Sequence, residues 1–165
     1  MTTTDTAADY STLKLDVPEG VQTVSITRDF AASPDKVFRA HIDPELFVKW
    51  CGPDSITNTI REWNATTGGN WSYVSSDDRG EYGFFGSFHE LRENERIVQT
   101  FTYEGFADAV NLEILTLTDL GDGRTRLMST SIFDSVESRD GMVASGMEHG
   151  IVEGYNKLDR LLAEA

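Results

Sequence analysis

The sequence predicts an α+β fold of the helix-grip kind: a curved antiparallel β-sheet wrapped around a long C-terminal helix, with two short helices after the first strand. Three observations lead there. Apolar residues alternate at a period of two over about 80 residues in the middle of the chain. From about residue 137 the period becomes helical and carries one apolar stripe to the end. Between the first strand and the alternating region stand two short segments, each led by proline. A sheet with one polar face must bury the other, and a single long helix covering that face makes the sheet curl around it.

Taken in order, residues 1–19 are rich in Thr, Ala and Asp without clear periodicity and read as a flexible tail, with one short element at 13–17; the domain proper is 20–165. "VQTVSITRDF" (21–30) alternates as a strand. In "ASPDKVFRAHID", Ser33 is a good N-cap and Pro34 suits the first helical position, and Val37 and Phe38 begin an apolar face. "PELFVKW" makes a second short helix that stops at Gly52-Pro53. Six strands follow: "SITNTIREW", "NWSYVSS", "EYGFFGSFHEL", "RIVQTFTYE", "AVNLEILTLTDL" and "TRLMSTSIFD". Turns such as "DDRG" and "GDG" separate them closely enough for an antiparallel meander. In the terminal helix Met147, Ile151, Tyr155, Leu158 and Leu162 form the apolar stripe. Four glycines (Gly141, Gly146, Gly150, Gly154) each cost about 1 kcal/mol relative to alanine, so the first half is expected to be loose, kinked or pressed against another backbone.

Composition narrows the function. With 165 residues the chain is one domain, large enough for a core and an internal cavity. The net charge of −14 repels phosphate backbones and anionic lipids, so neither nucleic acid nor a membrane surface is an expected partner. No apolar run approaches the roughly 20 residues that span a bilayer, and the amino terminus does not read as a signal peptide. The expected location is the cytoplasm. Cys51 is the only cysteine, which rules out an intramolecular disulfide. "WCGP" (50–53) shares four letters with the thioredoxin active-site run, but Asp54 stands where the second thiol would be. Moreover, Cys51 follows a helix, the wrong end of the dipole for a lowered thiol pKa.

The residues in order resemble the START-like (SRPBCC) superfamily, in the branch related to the activator of the heat-shock chaperone ATPase. The resemblance runs over about 21–164 and rests on "ITRDFAASPDKVFRAHIDPELFVKWCGP", "GGNWSY", "GSFHEL", "RIVQTFTYEG", "GRTRLMSTSIF" and "GMEHGIVEGYNKLDRLLAE" taken together. It implies a cavity beneath the terminal helix that binds hydrophobic or aromatic small molecules, lipid or polyketide among them, and in a few relatives cyclises polyketides. The likeness to the chaperone activator concerns only that protein's carboxy-terminal domain, so a chaperone partner is not expected. Where relatives carry a second tryptophan, Cys51 would widen the cavity mouth beside Trp50.

The candidate binding residues follow from the same pattern. Trp71 and Tyr73 share a strand face, as do Tyr82, Phe84 and Phe88, and then Phe101 and Tyr103. One helix can hardly fill a concave face bearing so many rings, so some of them line a pocket together with Met147, Ile151 and Tyr155. Ser129, Ser131, Asn58 and Glu90 are candidate polar members. His41, His89 and His149 have no metal-ligand spacing, and neither a metal nor a cofactor is expected. The leading expectation is binding of a small hydrophobic molecule. The alternatives are a cyclase- or hydrolase-type enzyme with His149 or Glu90 as acid/base, and a chaperone-related interaction domain. Monomer and homodimer are both compatible with the sequence.

Overall fold

The computed structural model describes residues 13–164, so the first twelve residues of the expected tail lie outside the described residues. The short element expected at 13–17 is strand β1 (Leu13–Asp16), paired antiparallel with β2 (Thr23–Phe30). The sheet therefore starts before residue 20. In β2 every second residue, Val24, Ile26, Arg28 and Phe30, is buried, as alternation requires.

Helices α1 (Pro34–Ile42) and α2 (Pro44–Trp50) meet at Asp43, which ends the first and caps the second by accepting the Glu45 N–H at 2.9 Å. They carry the chain across to the far edge of the sheet. There β3 (Thr57–Trp63), β4 (Asn70–Asp77), β5 (Gly80–Arg92), β6 (Arg96–Tyr103), β7 (Asn111–Gly121) and β8 (Arg124–Ile132) run as the expected meander. β2 then closes against β8, giving the order β1-β2-β8-β7-β6-β5-β4-β3. In that long-range pairing Thr23 faces Ile132 and Phe30 faces Thr125.

The terminal segment is two helices rather than one: α3 (Val136–Ala144) and α4 (Met147–Ala163). Gly146 between them has φ +90°, a left-handed conformation that breaks the helix and that glycine adopts freely. The C-terminal half of α4 fills the core with Leu158 and Leu162, which join Phe30, Val37, Phe38 and Leu127 in one buried cluster. Nearly buried Arg28 ties the sheet to the same half of the helix through Asp159 at 2.5 Å, with its guanidinium 4.4 Å above the Phe30 ring. Halfway along, α4 crosses the end of α2 at Gly154. A Cβ there would stand 3.0 Å from the Trp50 carbonyl oxygen and 3.2 Å from the Gly52 nitrogen, so the two backbones touch with no room for a side chain. None of the described helices is long and apolar enough to cross a membrane.

This contact makes two helix glycines behave oppositely. Gly141 has nothing within 4 Å of where a Cβ would lie, so Gly141→Ala should stabilise by up to about 1 kcal/mol. Gly154→Ala should cost about 1–2 kcal/mol despite the better helix former, because both neighbours are backbone atoms. Urea unfolding of the two variants separates them; equal gains would show that α4 does not depend on the close approach.

Candidate functional site

The end wall of the site is built from groups that helix termini leave unpaired. The last carbonyls of α1 have no intrahelical donor. The Trp50 indole N–H donates to the Ala40 carbonyl at 2.9 Å and that of Trp63 to the Ile42 carbonyl at 2.7 Å, so both rings are fixed against the helix end. Phe47 lies between them, its centroid 5.6 Å from Trp50 and 5.0 Å from Trp63. Tyr155 of α4 stacks on Trp50 at 5.9 Å. The Cys51 carbonyl, at the end of α2, accepts from the Asn58 amide at 2.8 Å, and Asn58 in turn accepts from the Ser75 hydroxyl at 2.7 Å. The turn beyond is tied to α4. Glu153 accepts the Asp54 N–H at 2.6 Å, and the Lys157 ammonium donates to the Pro53 carbonyl at 3.2 Å.

A cavity of about 340 Å³ lies between the concave face of the sheet and the N-terminal half of α4. Met147, Ile151 and Tyr155 form its roof, and Met142 of α3 joins them. Trp71 and Tyr73, stacked at 5.6 Å, and Phe101 make the wall opposite β2. The floor is apolar at Ile26, Ile97 and Leu115 and polar along one row. In that row Gln99 of β6 faces Glu113 of β7, which faces Ser131 of β8. The Gln99 amide donates to Glu113 Oε2 at 2.9 Å.

Electrostatics in this space follow from burial. Desolvation raises the Glu113 carboxyl above the ordinary range, and the Gln99 bond offsets only part of that. Burial pushes the Cys51 thiol up to about 11. It also raises the Tyr73 and Tyr155 phenols, and the nearby charge of Glu113 acts in the same direction on all three groups. His41 is drawn down to about 4 by burial. Its Nδ1–H donates to the Val37 carbonyl at 2.7 Å, which leaves Nε2 as a bare acceptor. The Trp71 indole N–H also has no protein partner. Two cavity-lining residues thus carry buried polar atoms with no partner among the described residues, and each such group calls for an explanation.

The structure brings together Trp50, Cys51, Trp71, Tyr73, Phe101, Met147, Ile151 and Tyr155 of the expected binding residues, with Ser129 and Ser131. Phe84, Phe88 and Tyr103 are not on the cavity wall. Phe88, 2% exposed, is packed edge-on against Trp63 in the core. Phe84 and Tyr103 stack on each other at 5.3 Å, one step along the strands from Phe101. Asn58 holds the end of α2 instead of lining the space. The two alternative acid/base candidates read from the sequence, Glu90 and His149, are also off the cavity wall. Between Phe88 and Glu90 the β5–β6 register shifts, a bulge that interrupts the alternation and turns Glu90 to Arg92 at 3.0 Å and Arg96 at 3.5 Å. His149 is two-thirds exposed on α4 and pairs with Glu153, away from the cavity. The residues that sequence reasoning missed are Phe47, Trp63, His41, Asn111 and above all Glu113 with Gln99. Strand alternation already puts Glu113 on the face of Leu115 and Leu117, so that signal was available.

Two measurements test these environments. At pH 8 a thiol with a pKa of about 11 holds about a hundredth of the thiolate of one at 9.0, so native Cys51 should react with a thiol probe at least a hundredfold more slowly than in urea; rapid native labelling would contradict its burial. Because the folded-state pKa of Glu113 is raised, its stability contribution is complete below the unfolded carboxylate pKa and is lost as pH rises through the folded value. Glu113→Gln keeps an acceptor for Gln99 and removes that loss. The variant should melt a few degrees above the parent at pH 7.5 and together with it near pH 4, as read by calorimetry.

No functionally curated protein matches the chain. Among solved structures, the chain is similar to a Rhodobacter sphaeroides protein with a TM-score of 0.84 at 24% identity, covering 93% of this chain and 99% of the other. A protein of Arthrobacter aurescens gives 0.83 at 24% identity over 92% of each chain, and one of Mycobacterium smegmatis 0.81 at 24% over 90% and 95%. At that identity the likeness is one of fold. The family assignment rests on sequence: residues 31–163 match the family described as Activator of Hsp90 ATPase homolog 1-like protein. This stretch covers most of the chain and includes the end wall, the roof and all of the floor but Ile26, and the chain belongs to that family.

Proposed function

We propose that this protein binds a small hydrophobic or aromatic molecule in the cavity between sheet and α4, acting in the cytoplasm. One observation carries the reading. The cavity of about 340 Å³ is walled by aromatic rings yet carries the Glu113 carboxyl on its floor, and its lining residues His41 and Trp71 hold polar atoms without a partner among the described residues. That is the composition of a ligand pocket, mostly apolar with a few groups that orient the guest. A volume of this size holds roughly a dozen non-hydrogen atoms, taking the ~30 Å³ share of a liquid water as the unit, so the guest is a molecule of one or two rings. The way in is the α3–α4 junction, where the flexible side chains of Met142 and Met147 flank the break at Gly146. The enzyme alternative has less support, since neither of its acid/base candidates, His149 or Glu90, lines the cavity.

Native mass spectrometry of the purified chain is expected to show a bound small molecule. Titration with the neutral two-ring compound 2-naphthol, followed by calorimetry, is expected to show one site. Ile151→Trp puts a large ring into the roof and should weaken that binding at least tenfold without lowering the melting point by more than a few degrees. Absence of any uptake by the parent protein, or equal uptake by the variant, would overturn the reading.

A further inference from the structure

The cavity is asymmetric in charge. Among the described side chains lining it, Glu113 is the only carboxyl, and none is lysine or arginine. The cations nearest the site are engaged elsewhere: Lys157 donates to the Pro53 carbonyl, and Arg28 pairs with Asp159 and Asn156. His41 lines the space as a neutral imidazole whose free nitrogen is an acceptor. An anionic guest would therefore meet a carboxyl and aromatic faces, with no positive group to replace its hydration. For a cation the same surroundings are favourable. The Glu113 carboxylate supplies the counter-charge, and Gln99 fixes it by donating to Oε2, which leaves Oε1 for a guest. Trp50, Tyr73 and Tyr155 line the space, and rings of this kind attract a cation brought over them. A net charge of −14 draws cations to the molecule from a distance.

Resting on the cavity reading above, we propose that the natural ligand is an apolar amine, bound as its ammonium ion against Glu113 with its hydrocarbon or ring portion among Trp50, Tyr73 and Tyr155. The acidic group also has a cost at neutral pH that such a guest offsets. A carboxyl kept among rings destabilises the empty protein, and an ammonium beside it turns that unpaired group into a desolvated ion pair.

The test uses three molecules of one ring system and nearly one size: tryptamine, the neutral alcohol tryptophol, and indole-3-acetate. Each is titrated into the full chain at pH 7.5 by calorimetry, beside 2-naphthol. Tryptamine is expected to bind at least tenfold more tightly than tryptophol, and indole-3-acetate at least tenfold more weakly than tryptophol. In Glu113→Gln the tryptamine advantage should vanish, while tryptophol binding stays within about threefold of the parent. A tryptamine preference below threefold in the parent, or one that survives Glu113→Gln, overturns the amine assignment and leaves the cavity reading standing. Uptake of 2-naphthol with no binding of the three indoles does the same. Failure of all four compounds overturns both.

Discussion

The contact on which the arrangement depends is the crossing of α4 over the end of α2 at Gly154. With no side chain there, the helix backbone rests on the Trp50 carbonyl and on Gly52. That approach sets the height of α4 above the sheet at its midpoint. Beyond the midpoint, Leu158 and Leu162 fill the gap down to the sheet and Arg28 anchors the helix through Asp159. Before the midpoint the helix carries Met147, Gly150 and Ile151 over a floor whose side chains do not reach it, and the cavity is what remains. Glu153 and Lys157 strap the turn at 52–54 to the same helix, which ties the end wall to the roof. The cavity is thus a consequence of where the helix is stopped from descending.

The walls hold their shape for a related reason. The carbonyls that α1 cannot satisfy internally are taken by the Trp50 and Trp63 indoles, which links a helix terminus to the orientation of two large rings. A ring with its N–H committed cannot turn to fill the space. The opposite holds for Trp71, whose N–H is left without a partner. Glu113 belongs to the same contrast. Placing a carboxyl on the apolar floor works against stability, and nothing in the fold requires it, since Leu115 and Leu117 occupy the neighbouring positions of the same face with no such cost. Residues that work against stability are where a site is expected to lie.

Much of this was legible in the sequence, because the two periods are long. Six consecutive strands at period two and a five-position helical stripe define the sheet, its partner and the face between them, and the order of elements leaves few ways to join them. What period alone could not convey is where alternation fails and how far along a strand the cavity extends. The bulge after Phe88 reverses the facing of Glu90, and no residue there announces it. Phe84 and Tyr103 have the right facing but sit beyond the end of the space. His149 is adjacent in sequence to Met147 and Ile151, yet on a helix two residues are far apart in angle, and it points to solvent. The break at Gly146 was foreshadowed by the glycines, whereas the close approach at Gly154 depends on the distant turn at Gly52 and is a tertiary fact.

"WCGP" is best understood through that turn. Its tryptophan is a wall of the cavity, its glycine is the backbone that Gly154 rests on, and its proline carbonyl takes the Lys157 ammonium. The cysteine contributes a long side-chain hydrogen bond instead: its sulfur lies 3.7 Å from the Tyr73 hydroxyl on the cavity lining. Burial holds it as a neutral thiol, and a larger residue at 51 would project toward Tyr73 and take volume from the space. The sulfur therefore acts through its size, as one determinant of how large a guest fits between Trp50 and Tyr73. Glu113 acts through its charge, as a determinant of which guests of that size are retained.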